Sequence, residues 1–493
     1  MPLIGLLCAW LADPNDLFAQ SWAPGYEDFE LIELAGPEFF SGAELYATDF
    51  AFDHRGNLLV TTQGGFVFYM LRDGSFASDP DTGEAVPFLD LTDEVTFEGQ
   101  GGLLSIALHP DYPNQPYVYL YYTVDPTDND LEDGLHRFTR LTRYRADPAS
   151  DHRTADLASR AILLGETWGS GAVAHSWFHP NAALAFGADG SLLVSTGDSD
   201  NFGATFDACY DNIEDDRIPA EQNIGQLRAQ FLRSYNGKVI RIDPLTGQGY
   251  STNPFFTGDP DDIESKVWAL GLRNPFRMTI RPGTGDPDPA QARPGALYIG
   301  NVGPASWESV YVSREGGENF GWPYWVAHVE FDPDADPLVK LDPDRTFGDV
   351  PRPDPEQVTL PVFAMHRSSS LDEPVFPPGV TEPSTLPYRN RCMIGGAFYE
   401  GTTYPSDLAG HYFFGDCIFN NLFAAQFDDA DNVLKIKAIG GSLRSFSQGF
   451  NLVTIKADPF GGDLFFSFKR GIYRLGSTLF PNQIQASRWF IYD

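Results

Sequence analysis

Several side chains able to move protons or hold charge stand where apolar runs end. Gln100 sits in EGQGG before LLSIALHP, and His179 stands just ahead of NAALAFG. Asp198 closes the next run in STGDSD, Arg273 and Asn274 interrupt WALGLRNPF, and Gly303 and Pro304 end LYIGNVGP. An imidazole, a carboxylate, a guanidinium and an amide are the groups that carry general acid–base and electrostatic chemistry. Each also has an ordinary structural reading. A histidine at a strand start is commonly a hydrogen-bonded structural residue, Asp198 after Gly197 can cap a turn, and Gly-Pro is a turn signal. Their meaning depends on whether the fold brings them together.

The elements that would do so recur along the chain. An apolar strand, a tight turn with Asp, Asn or Gly, and a second apolar strand appear in DFAFDHRGNLLVTT (49–62), ALAFGADGSLLVSTGD (183–198) and TIKADPFGGDLFFSF (454–468). Relatives are SIALHPDYPNQPYVYLYYT (105–123) and the segment 278–303, and third strands follow in GKVIRID (237–243) and GIYRL (471–475). Period-two apolar alternation with these turns predicts hairpins. Irregularly spaced copies around a ring predict an all-β, six-bladed β-propeller with long loop insertions, a β-sandwich or solenoid being the competing pattern. The longest polar stretches are 124–136, 199–222 and 329–358. We expect residues 1–21 to be an N-terminal leader or extension, 22–480 one propeller, and 481–493 a C-terminal tail. In a propeller the loops at one end converge on the central channel, so the polar residues above can meet around one ligand.

Composition narrows the partners. With 33 Lys+Arg against 68 Asp+Glu the formal charge is −35, which argues against nucleic acid or an anionic membrane surface. Some Asp-rich loops could hold Ca²⁺, though none has EF-hand spacing. No apolar run reaches the roughly 18 residues of a membrane span, and the apolar start MPLIGLLCAWLA lacks the basic region of a signal peptide. Of Cys8, Cys209, Cys392 and Cys417, none forms a C-x-x-C pair. Folding CMIGGAFYE against GHYFFGDC about residues 404–405 sets Cys392 opposite Cys417, which predicts a disulfide, two buried free thiols being the alternative.

The strings EGQGGLLSIALHPDYPNQPYVYLYYT, HPNAALAFGADGSLLVSTGD, NGKVIRIDP, WALGLRNPF, IGNVGPASWESV and NFGWP occur in an order that resembles the soluble sugar dehydrogenases dependent on pyrroloquinoline quinone (PQQ). The resemblance runs from about residue 45 to 475 and implies the same six-bladed propeller. It further implies a PQQ- and Ca²⁺-dependent oxidoreductase converting an aldose to a lactone, secreted or periplasmic, passing electrons to an external acceptor. His179 would be the general base, Asp198 its orienting partner, Gln100, Arg273 and Asn274 cofactor contacts, and the Gly303 and Pro304 carbonyls the Ca²⁺ ligands. Arg391, Arg444 and Lys469 are candidates, by location, for further cofactor contacts. Ala183, Leu272 and the pair Phe276-Arg277 depart from the sugar dehydrogenase pattern. GLRNPFR, IGNVGPASWESV and GGAFYEG look closer to the hedgehog-interacting-protein-like branch of the superfamily. That branch makes a non-catalytic binding propeller one alternative, and a Ca²⁺-dependent sugar lactone hydrolase is another.

Overall fold

The computed structural model describes residues 21–124, 137–174, 178–199, 220–222, 224–304, 307–330, 350, 352–367, 390–445 and 448–477. Six antiparallel sheets stand around one axis as blades of a propeller, as the repeats predict. They span residues 47–90, 103–164, 184–270, 275–366, 393–441 and 452–477. The innermost strands are Ala47–Phe52, Leu103–Leu108, Leu184–Phe186, Pro275–Ile280, Met393–Phe398 and Leu452–Ala457, each packed against its neighbours around the ring. The insert segments 125–136, 200–219 and 331–349, with Cys8, Cys209 and the expected leader and tail, lie outside the described residues apart from Ser21.

Each blade is covered on both faces, so its strands bury successive residues into different interfaces. Leu192 and Val194 pack toward the second blade with Leu104 and Tyr121, whereas Leu193 between them packs toward the fourth with Leu297 and Ile299. Leu58 and Val60 likewise face the sixth blade, and Leu59 the second. Six clusters of buried apolar side chains thus fill the six gaps between blades. Each buried Leu, Val or Phe contributes about 1.5–3 kcal/mol relative to exposure, so the ring is held by its gaps.

Two features close the structure. Phe29–Ala35, which precedes every repeat, pairs with Gly471–Ser477 and supplies the outer strand of the last blade, so the two ends of the ring are joined by hydrogen bonds. Ser21–Trp22 adds an edge strand to the fifth blade. In that blade a register shift between Met393 and Gly395 sets Cys392 opposite Cys417, and the two form the expected disulfide. The bridge closes a 25-residue separation. A chain-entropy estimate for that loop is about 3.5 kcal/mol. The Cys392→Ser/Cys417→Ser protein should therefore unfold at clearly lower urea; an unchanged midpoint would show that the bridge adds no stability.

Antiparallel pairing sets which residues share a face. Residues just before an inner strand and just after the second strand of a blade lie at the same end of the ring. Arg277 confirms the common level, because its side chain reaches Thr48 O, Leu104 O, Ala182 O and Thr454 Oγ1, all near the starts of inner strands. Gln100, His179, Arg273 and Asn274 precede inner strands, and Asp198, Gly303 and Pro304 follow second strands, so all seven stand at one end.

Candidate functional site

His179 is built into a strained, close-packed corner. Its φ is +57°, a region that non-glycine residues seldom occupy and that costs on the order of 1 kcal/mol or more. Its backbone N–H donates to Gln100 Oε1 at 2.9 Å. The backbone of Gly197 passes so near that a Cβ there would lie 2.1 Å from the His179 carbonyl oxygen, so only glycine fits. The ring is buried, and its Nδ1 lies 2.9 Å from Asp198 Oδ1. Asp198, fully buried, accepts a second hydrogen bond at Oδ2 from Trp322 Nε1 at 2.8 Å. With both carboxylate oxygens accepting, the proton on the imidazole is held at Nδ1 and Nε2 carries the lone pair. The buried Arg228 guanidinium braces the same corner through the Asp198 and Ser199 carbonyls.

The neighbouring blade supplies positive charge. Asp198 N–H donates to the Arg273 carbonyl at 2.8 Å, which ties the two blades together. The Arg273 guanidinium stacks 5.5 Å from the Trp322 ring centroid and donates to Val302 O and Gly303 O at 3.1 and 3.0 Å. Asn274 receives Asn181 Nδ2–H at its side-chain oxygen and Val302 N–H at its carbonyl. All seven residues expected from sequence therefore belong to one hydrogen-bonded network.

Besides Trp322, Asn181 and Arg228, two further members of that network have no role in the sequence reading. Arg367, just beyond the strand Phe363–His366, donates to Pro304 O at 3.0 Å and Gly303 O at 2.8 Å. Its guanidinium also pairs with Glu308, a fully buried carboxylate. Glu308 was detectable as an acidic residue inside the apolar strand SWESVYVS, whereas nothing local marks Arg367. Leu272 and Ala183, two of the departures noted above, are simply buried among apolar neighbours.

Burial first, and then the Arg273 charge, push the His179 pKa below the ordinary histidine value; Asp198 opposes this in part, and Arg367 adds to the lowering. The imidazole is therefore neutral at neutral pH. Two fixed guanidiniums beside a neutral base suit an anionic, electron-accepting group, such as the three carboxylates and quinone oxygens of PQQ. Arg391, Arg444 and Lys469 stand at the same end of the ring, over the rings of Phe419, Tyr473 and Tyr46 respectively. The donor set does not fit a divalent cation equally well. Gly303 O already accepts from two guanidiniums and Pro304 O from one. A Ca²⁺ drawn to these oxygens would have to compete with the guanidiniums already donating to them.

A profile of the glucose/sorbosone dehydrogenase family matches residues 45–344, more than half of the chain. The HIPL2 protein of Arabidopsis thaliana is 25% identical over 380 residues, 69% of this chain and 46% of its own length. Quinoprotein glucose dehydrogenase B of Acinetobacter calcoaceticus is 28% identical over 229 residues, 46% of this chain and 40% of its own. The chain thus spans about half or less of the length of these relatives. The PQQ-bound form of an aldose sugar dehydrogenase from Streptomyces coelicolor superposes with a TM-score of 0.56 at 18% identity, over 92% of this chain and 99% of that one, a likeness of fold.

Proposed function

This chain belongs to the glucose/sorbosone dehydrogenase family, and from that premise we propose that it oxidises a sugar hydroxyl, aldose to lactone, with PQQ as the acceptor. The observation that carries the reading is the buried His179–Asp198 pair set beside the Arg273 and Arg367 guanidiniums. PQQ, when bound, supplies a carbonyl carbon able to accept hydride. His179 Nε2 takes the hydroxyl proton, which makes the departing hydride a better leaving group. Asp198 holds the Nδ1 proton and stabilises the imidazolium that results, while Trp322 fixes the carboxylate. Arg273 holds negative charge developing on the acceptor side, and Gln100 fixes the backbone that carries the base. The Cys392–Cys417 bridge favours an oxidising compartment, so we place the protein outside the cytoplasm. In this reading the electrons then pass to an external acceptor.

The test is reduction of an artificial dye by the purified protein with PQQ and a panel of aldoses, alongside PQQ titration by absorbance or calorimetry. We expect saturable PQQ binding and aldose-dependent dye reduction. Neither being seen would sink the reading. It would favour a binding propeller, the second reading to which the HIPL relative gives weight. Metal-dependent lactone hydrolysis without PQQ would instead select the hydrolase.

A further inference from the structure

We propose that Arg367, locked on Glu308, is this chain's own substitute for a divalent cation at the Gly303–Pro304 carbonyls, so that the acceptor binds without metal. The inference rests on the PQQ reading for what the charge acts upon. Its structural basis is independent of that reading.

Three observations carry it. The guanidinium spans two consecutive carbonyls, Nη1 to Pro304 O at 3.0 Å and Nη2 to Gly303 O at 2.8 Å. A planar fork makes such a bridge; a point-charge ammonium does not. Next, the fork is anchored from behind by a carboxylate. Glu308 is fully buried and accepts from Arg367 at Oε1 and from the Met393 N–H at Oε2, the latter at 2.8 Å. Burying that carboxylate without a cation would be costly, so it and Arg367 stabilise each other in place. Met393 follows Cys392, which is bridged to Cys417. Finally, Arg367 shares Gly303 O with Arg273, whose own carbonyl accepts from the Asp198 N–H, so the fork is tied to the corner that holds His179. Arg273 adds a second guanidinium on Gly303 O, which fills that oxygen's two lone pairs. A monovalent, permanently charged group thus stands where the family resemblance places an exchangeable ion, and chelators cannot remove it.

The full chain, stripped of metal by chelator, would be titrated with PQQ in EDTA and in millimolar Ca²⁺. We expect affinities within about twofold of each other. Arg367→Met, which keeps the volume, should bind PQQ at least tenfold more weakly in EDTA and regain much of that in Ca²⁺, because the carbonyls are vacated. In parallel, equilibrium dialysis of Ca²⁺ against excess Mg²⁺, without PQQ, should show no tightly held ion in the wild type and one gained by the variant. PQQ binding by the wild type that collapses in EDTA and returns with Ca²⁺ would overturn the proposal, as would a tightly held Ca²⁺ in the wild type. If PQQ binds under neither condition, the functional reading fails, and the dialysis alone decides who occupies the carbonyls. The wild-type arms need no variant, so a misfolded Arg367→Met protein would leave the question answerable.

Discussion

Replacing His179 with alanine is expected to lower kcat for aldose-dependent dye reduction about a thousandfold while leaving PQQ affinity nearly unchanged. General-base assistance is worth about 10²–10⁴-fold, and the positive charges that would hold the acceptor are on other residues. Steady-state kinetics at saturating PQQ, with PQQ titration of the same variant, separate the two effects. Turnover within tenfold of wild type would remove His179 from the chemistry. The pH profile gives a second reading. A base at His179 would work as the neutral imidazole, and the His179 pKa is held below the ordinary histidine value. Activity should therefore stay level as pH falls through the usual histidine range and decline only at lower pH. Removing the Arg367 charge should move that acidic limb to higher pH, since that charge disfavours the imidazolium.

Asp198 offers a sharper version of the same experiment. Its two oxygens face two N–H donors, His179 Nδ1 and Trp322 Nε1. In the Asp198→Asn protein the side-chain amide must present its NH₂ to one of them. Turned toward His179, it forces the proton onto Nε2, where the lone pair is needed. Asp198→Asn should thus lose activity on a scale similar to His179→Ala, with little change in fold.

The largest expected effect on stability is at Arg277. This buried side chain lies in the central channel and donates to Thr454 Oγ1 at 2.7 Å, Ala182 O at 3.1 Å, Thr48 O at 2.7 Å and Leu104 O at 3.4 Å. Those groups, with Arg277 itself, come from five of the six blades. Beside it, Lys456 pairs with Asp49 at 2.8 Å, and Asp49 accepts from Ser105 Oγ at 2.8 Å. Burial alone would push the Asp49 pKa up, but Lys456 and then Arg277 hold it below the ordinary value. Arg277→Ala would strand several buried carbonyls and take one cation from a buried carboxylate. Losses of this kind cost about 3–5 kcal/mol. We expect a markedly lower melting temperature, only partly recovered by Arg277→Lys, whose ammonium cannot fork to four partners. A melting temperature unchanged in Arg277→Ala would mean that the channel closes without the plug.

Arg277 shows where sequence reading stops. In sequence it was half of a departure from the sugar dehydrogenase pattern at Phe276-Arg277. In the fold it joins residues as far apart as Thr48 and Thr454, and no local pattern announces that. The blades themselves were legible, because strand alternation and Asp/Gly turns act over a few residues. Leu192, Leu193 and Val194 sort themselves between two interfaces by period alone. The pairing of His179 with Asp198 came from the family resemblance, and the register of the hairpin they flank brings them together. Phe29–Ala35 as the closing strand, and the convergence of Gly303, Glu308, Arg367 and Met393, were decided only by closing the ring. Ring closure is a long-range packing event that sets which blade ends meet. The sequence by itself determined hairpin-built blades in a ring, and it set Cys392 opposite Cys417. Only the tertiary structure decided which cation stands at the Gly303 and Pro304 carbonyls. That choice depends on a side chain delivered from the far strand of the same blade and anchored on a carboxylate that burial denies to water.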